Sequence, residues 1–312
     1  MLHAGAGVLT SLPDQLVVRG RSISVAPTSP ALMGVVNASP ESFSDGGQFP
    51  DLRSQVRRAL ALVDEGATII DVGGESGVTG MAPITAAEER ARVEPLVRAL
   101  VAEGVAVSVD TWKSEVAAAV LDVGAMIIND VSGLADPALA RLCADAGAAL
   151  VVMHTRARPK HKDFPHDSDV AVVADVLTFL GSQVALAESL GVPRSRLVVD
   201  PGPDFGKTPS QTVAVLKALS QLQALSCPIL LAVSRKDFIG ALTGARPADR
   251  LPGTLAAVAS GVAHGAGILR VHDVAAVRDF LQVRAALEGA IEVPEALRLP
   301  QDLRRQDDSP HP

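Results

Sequence analysis

The chain has 312 residues, a formal net charge of −7 and 48% hydrophobic residues, enough apolar material for one large domain or two ordinary ones. The acidity is mild and spread out, leaving no basic footprint for nucleic acid or an anionic membrane, and 3% aromatics, with no tyrosine and Trp112 as the single tryptophan, argue against a base- or sugar-stacking surface. No apolar run approaches the roughly 18 residues of a membrane span, the opening MLHAGAGVLTSLPD lacks the pattern of a signal peptide, and Cys143 and Cys227 have no CxxC partner, as expected of reduced thiols in a cytoplasmic protein.

In chain order, DQLVVRGRSISVAP (14–27) predicts a small hairpin around Arg19-Gly20-Arg21, a lid for the bottom of the domain. Eight short apolar runs come next: ALMGVVN (31–37), TIIDVG (68–73), VAVSVD (105–110), MIIND (126–130), AALVVM (148–153), LVVD (197–200), PILLAVS (228–234) and GILRVH (267–272). Their hydrophobicity is continuous rather than alternating, as in parallel strands covered on both faces. Each is followed by a segment of helical period: 51–66, 86–104, 114–124, 136–147, 170–191, 209–225, 252–267 and 274–289. Eight right-handed strand–helix units close most naturally into a (β/α)8 TIM barrel, an α/β single-domain fold. The expected organisation is an N-terminal segment with the hairpin (1–28), the barrel (29–290) and a Pro-rich, charged, disordered tail (291–312).

Chemistry in such a barrel gathers at the C-terminal ends of the strands. The polar residues there are Asn37, Asp71, Asp110, Asn129 with Asp130, His154, Asp200, Ser234-Arg235-Lys236, and Arg270 with His272. Asp71 and Asp130 have a simpler reading as caps of the following turn, and a lone Asp110 or Asp200 as partner of a nearby lysine. Taken together with Lys236 and Arg270, so many polar groups in one mouth imply a binding site, because each costs desolvation unless partnered. Two aspartates and an asparagine suit a flat, donor-rich heterocycle, since a carboxylate accepts paired N–H bonds. Arg270 and His272, two apart on one strand and hence facing the same side, suit a phosphate or diphosphate. The Gly-rich DVGGESGVTG (71–80) and DPGPDFGKT (200–208) allow close backbone approach to a ligand, but FGKT does not complete a P-loop, which argues against an NTPase.

The segments MGVVNASPESFSDGG (33–47), DVGGES (71–76), SVDTWK (108–113), INDVSG (128–133), VMH (152–154), DPGPDFGKT (200–208), SRKDFIG (234–240) and RVHDV (270–274) resemble, in order and position, the dihydropteroate synthase family of pterin-binding barrels. The resemblance covers residues 31–290. It implies that Asp110, Asn129, Asp200 and Lys236 hold a pterin ring. Asn37, Arg270 and His272 would receive the pterin's diphosphate, with Mg2+ at Asn37. Met153, Phe205 and Ser234 would line the site near the pterin or the second substrate, p-aminobenzoate. It further implies folate biosynthesis, a cytoplasmic homodimer and a sulfonamide target, with no nucleic-acid or membrane partner.

The sequence departs from the family's pattern at four places. Gly77-Val78-Thr79-Gly80 stands where the family reads Thr-Arg-Pro-Gly, removing a cation from the aminobenzoate side. Asn37-Ala38-Ser39-Pro40-Glu41 replaces Asn-Val-Thr-Pro-Asp. Asp204 stands where the family keeps glycine, a negative charge expected to repel the aminobenzoate carboxylate. The loop TRARPKHKDFPHD after His154 is basic (Arg156, Arg158, Lys160, Lys162) where the family carries Gly-x-Pro-x-x-Met-Gln. These departures leave an alternative: a pterin-binding paralogue without synthase activity. A pterin-dependent methyltransferase lacks its cobalamin domain here, and an aldolase lysine would not follow directly on Arg235.

Overall fold

The structure, a computed structural model, describes residues 12–38, 51–75, 83–157, 168–300 and Leu303. Strands β1 (Gln15–Val18) and β2 (Arg21–Ser24) form an antiparallel hairpin. Arg19 and Gly20 turn it at φ 48° and 79°, the pair of positive angles that matches strand twist in a two-residue loop. Eight parallel strands form a second, separate sheet: β3 (Ala31–Asn37), β4 (Ile69–Gly73), β5 (Val107–Asp110), β6 (Ile127–Asp130), β7 (Ala149–Met153), β8 (Leu197–Asp200), β9 (Ile229–Leu231) and β10 (Ala266–Val271). They close in sequence order, with β10 returning to β3. This is the TIM barrel expected from the alternation.

The outer layer comprises α1 (Leu52–Asp64), α2 (Ala86–Ala102), α3 (Ser114–Asp122), α4 (Ala138–Ala146), α5 (Asp169–Ser189), α6 (Pro209–Lys217), α7 (Asp237–Thr243), α8 (Leu251–Ala263) and α9 (Val274–Leu287). Capping boxes start α2 (Thr85 with Glu88) and α6 (Thr208 with Gln211, Pro209 in the first turn), each satisfying two otherwise orphaned amides.

Three details differ from the sequence reading. The helix expected over 209–225 stops at Lys217, and Leu219–Leu225 continues as a 3-10 turn. The buried pair Leu219 and Leu222, three apart, suits that tighter spiral. The short α7 lies inside SRKDFIG and its continuation, too brief for a periodicity to register. Finally, α5 has 21 residues and is long and apolar enough by composition to cross a membrane, contrary to the expectation that no such run exists. In the fold it is a barrel helix, burying Val172, Val176, Leu180 and Val184 at four-residue spacing.

The core is in two layers. Valine, leucine and alanine side chains fill the space between strands and helices. Inside the lower barrel, Leu16, Val18, Ile23 and Val25 of the hairpin pack with Met33, Ile69, Ile127, Val198, Leu230 and Ile268. The hairpin is thus a plug on the N-terminal end. Arg19 holds it there, donating from one guanidinium nitrogen to the carbonyls of Leu121 (3.0 Å) and Ala125 (2.9 Å). Contact is so close that a Cβ on Gly267 would stand 2.0 Å from the Val25 carbonyl oxygen.

The ring is not uniform. β8 and β9 share one register pair, Val199 with Ile229, supported by the Val199 amide donating to the Pro228 carbonyl at 3.0 Å. Pro201 follows β8 and Pro228 precedes β9. Neither has an N–H to extend the ladder. The β9–β10 register also shifts between Ala266 and Ile268.

Candidate active site

The mouth of the barrel is organised around Arg270. From the end of β10 its guanidinium reaches past β3, donating through Nε to Asp71 of β4 at 2.6 Å and through an Nη to Asp110 of β5 at 2.9 Å. Asn129, at the end of β6 and in register with Asp110, donates to the same Asp71 oxygen at 3.1 Å. Asp71 is fully buried, and its Oδ1 and the Ser108 hydroxyl beside it in register have no partner among the described residues. Burial raises the Asp110 carboxyl to about 7, assisted by the charge on Asp71 and opposed by Arg270. Burial disfavours the charged Arg270 as well, but the carboxylates of Asp71 and Asp110 outweigh it and hold its pKa above the ordinary arginine value.

Opposite this cluster, Asp200 ends β8, buried, its Oδ1 accepting from the Gly202 amide at 2.7 Å. Its pKa is pushed up by burial, with Lys236 and Lys207 acting against the rise. The adjoining turn presses against β7. Gly202 has φ 64°, and a Cβ there would lie 2.1 Å from the His154 carbonyl oxygen and 3.2 Å from Met153 Cγ, so only glycine fits. The buried Lys207 closes the turn from within, donating to the carbonyls of Gly202 (2.9 Å), Phe205 (3.0 Å) and His154 (3.3 Å). Burial lowers its pKa to about 7.

Lys236 precedes α7 and sets its Nζ 4.3 Å from the centroid of the Phe205 ring, a cation–π contact. Burial lowers its pKa; the charges of Asp204 and Asp200 oppose the fall. The backbone just before it is held in a left-handed conformation, Arg235 having φ 58°. The Arg235 amide donates to Thr254 Oγ1 at 3.0 Å, its carbonyl accepts from Arg250 at 2.9 Å, and its side chain pairs in a fork with Asp273. Just past β10, the His272 amide donates to Ser234 Oγ at 3.2 Å, and the same oxygen lies 3.0 Å from His272 Nδ1. Burial lowers His272 to about 4, helped by Arg270 and Arg235.

The expected site residues therefore fall into groups. Arg270, Asp110 and Asn129 converge through Asp71; Lys236 meets Phe205 above the Asp200 turn; Met153 backs that turn; Ser234 holds His272. Arg270 and His272 share a strand face in the sequence reading, yet in the structure the first is drawn to carboxylates and the second to Ser234. Asn37 stands exposed at the end of β3, its Oδ1 3.5 Å from where a Cβ of Gly73 would be. Of the two candidate caps, Asp130 is one, accepting from the Ser132 amide and hydroxyl and from the Leu134 amide. Asp71 is instead the hub of the site, which the strand-end pattern marked but could not rank. Gly77-Val78-Thr79-Gly80, Ser39-Pro40-Glu41 and Arg158, Lys160 and Lys162 lie outside the described residues. Arg156, the remaining member of the basic loop, is forked onto Asp175 (2.6 and 2.9 Å) over the Phe179 ring.

A TIM barrel with an acidic and amide floor, and cations above it, has the lining of a binding site suited to a ring rich in N–H donors. Comparison with known proteins agrees. The family described as pterin binding enzyme matches residues 33–272. The dihydropteroate synthase of Mycobacterium leprae is 45% identical over 81% of this chain and 91% of its own. A probable bifunctional folylpolyglutamate synthase/dihydropteroate synthase of Haloferax volcanii is 45% identical over 78% of this chain, which spans 29% of that longer protein. The structure of Xanthomonas albilineans dihydropteroate synthase with 4-aminobenzoic acid superposes with a TM-score of 0.82 at 40% identity, covering 90% of this chain and 99% of that one. The chain belongs to the dihydropteroate synthase family of pterin-binding enzymes.

Proposed function

We propose that the chain condenses 7,8-dihydropterin-6-ylmethyl diphosphate with p-aminobenzoate, giving 7,8-dihydropteroate and pyrophosphate in folate biosynthesis. The methylene–oxygen bond breaks with its electron pair leaving on the diphosphate. The arylamine nitrogen then supplies the new bond and loses a proton. The observation that carries this reading is the convergence of Asp71, Asp110, Asn129 and Arg270 on one buried floor, with Asp200 and Lys236 across from it.

The ring's N–H edge meets carboxylate and amide oxygens, including Asp71 Oδ1, a buried acceptor without a protein partner among the described residues. Lys236 donates to the ring and forms no covalent adduct. Arg270, once a ligand competes for its carboxylates, is within reach of ring and leaving group alike. His272 is neutral at physiological pH and serves as a hydrogen-bond donor toward the diphosphate, its Nδ1 anchored on Ser234. Met153 and Phe205 supply apolar walls.

Mg2+ fits this arrangement as a substrate-borne ion. Among the described residues no group of three or more His, Cys, Asp or Glu side chains could hold a metal, whereas Mg2+ characteristically keeps its waters and joins substrate phosphates to one or two protein oxygens. The side-chain oxygen of the exposed Asn37 would be such a ligand. When bound, the ion neutralises charge growing on the departing diphosphate.

The second reading, a paralogue that binds pterin without turnover, loses one of its supports. The Asp204 carboxylate accepts from Thr212 Oγ1 and from the Phe238 amide, so it is engaged within the protein rather than presented to aminobenzoate. The enzyme is proposed to act in the cytoplasm as a homodimer; Cys143 and Cys227 are free and buried.

Purified protein with Mg2+ and the pterin diphosphate should release pyrophosphate only when p-aminobenzoate is added, with dihydropteroate formed in equal amount. Pterin binding without release under those conditions would establish the paralogue instead.

A further inference from the structure

Asp200 ends β8, and the loops carrying Phe205 and Lys236 rise from β8 and β9, the seam joined by one register pair. Strand pairing does little to fix one loop against the other there. A side chain does it instead. Asp204, on the β8–α6 loop, has φ 65°, backbone in which glycine is the unstrained residue. Its Oδ1 accepts from the fully buried Thr212 Oγ1 of α6 at 3.1 Å, and that hydroxyl accepts from the Asp204 amide at 3.1 Å. Its Oδ2 crosses the seam to accept from the Phe238 amide at 3.2 Å, two residues beyond Lys236. The next residue, Phe205, is the ring beneath the Lys236 ammonium.

We propose that Asp204 is a positioning residue for catalysis: its carboxylate clamps the β8–α6 loop to the first turn of α7 and so fixes Lys236 against Phe205 at the pterin site. The inference rests on the synthase reading above. It also reverses the role expected for this residue, from repelling the second substrate to organising the site of the first. The charges facing Lys236 are Asp204, Asp200 and Asp110, which favour its ammonium form, and Arg270, which disfavours it. Removing the Asp204 charge therefore carries an electrostatic signature besides a geometric one.

The test is calorimetric binding of the pterin diphosphate, with steady-state kinetics alongside. Asp204→Gly suits the backbone and should fold. It is expected to weaken pterin diphosphate binding about tenfold, the scale of the charge-assisted hydrogen bond across the seam to the Phe238 amide, with the KM for aminobenzoate unchanged. Asp204→Asn keeps an acceptor for Phe238 and should recover most of the affinity at neutral pH, while the alkaline limb of kcat/KM for the pterin substrate moves to lower pH. Thr212→Val should give a smaller loss in the same direction. Wild-type affinity in Asp204→Gly, or a lowered aminobenzoate KM in its place, would overturn the proposal. Failure of the wild-type protein to bind pterin diphosphate would refute the underlying reading, a result distinct from both.

Discussion

His272 shows how a residue's surroundings set its chemistry. An imidazole of ordinary pKa 6.5 is held to about 4 by burial and by Arg270 and Arg235. Between these values the unfolded chain binds a proton that the folded protein refuses. The contribution of His272 to stability thus rises with pH across that window, is complete above 6.5 and is lost as pH falls toward 4. Urea midpoints measured from pH 4 to 6.5 should rise less steeply in His272→Gln than in wild type; identical slopes would mean the imidazole charges freely. Other residues were less legible. Lys207 reads in the sequence as part of an incomplete phosphate loop, yet it is buried on three carbonyls. Asp71 reads as a cap, yet it binds Arg270 and Asn129. In each case the type and position were plain but the partners were not: those of Asp71 come from strands far away in sequence, and Lys207 turns back on its own loop as well as on His154.

At the scale of elements, the barrel strands were legible because continuous apolar runs admit little else. Their polar ends were legible too, since a polar residue interrupts or follows each apolar run even where, as at Asp130 and Asp200, the strand stays buried to its last residue. The break in 209–225 and the short α7 were not, because both depend on packing rather than on period. The hairpin was legible from its turn. Its function as a plug rests on Leu16 and Val18, both wholly buried against the barrel interior. Leu16→Ala should lower stability by about 3 kcal/mol, the transfer and cavity cost of a buried leucine, read as a shift in denaturant midpoint at constant slope. Turnover should be unaffected, because the plug and the mouth occupy opposite ends. A loss of turnover in protein of native stability would contradict that separation.

For the whole molecule, the sequence carried the architecture and most of the residues in the mouth, while the loops at 76–82 and 158–167 lie outside the described residues. The proposed homodimer belongs to this scale. Val283 and Leu287 are 60% and 84% exposed and lie one helical turn apart on α9, an apolar pair of the kind a subunit contact covers. Light scattering should give twice the chain mass for wild type and a single chain for Leu287→Asp combined with Val283→Asp. A wild-type monomer would refute the dimer.

The plug has one more consequence. With its lower end filled by Leu16, Val18, Ile23 and Val25, the barrel is a cul-de-sac rather than a passage. Whatever settles on Asp71, Asn129 and Asp200, all nearly inaccessible to solvent, arrives through the same opening as everything that later covers it. Under the proposed function, the pterin is therefore expected to go in before the aminobenzoate. Under the same function, pyrophosphate and the finished product leave by that same rim, where His272 is half-exposed and Asn37 exposed, so one opening serves both arrival and departure.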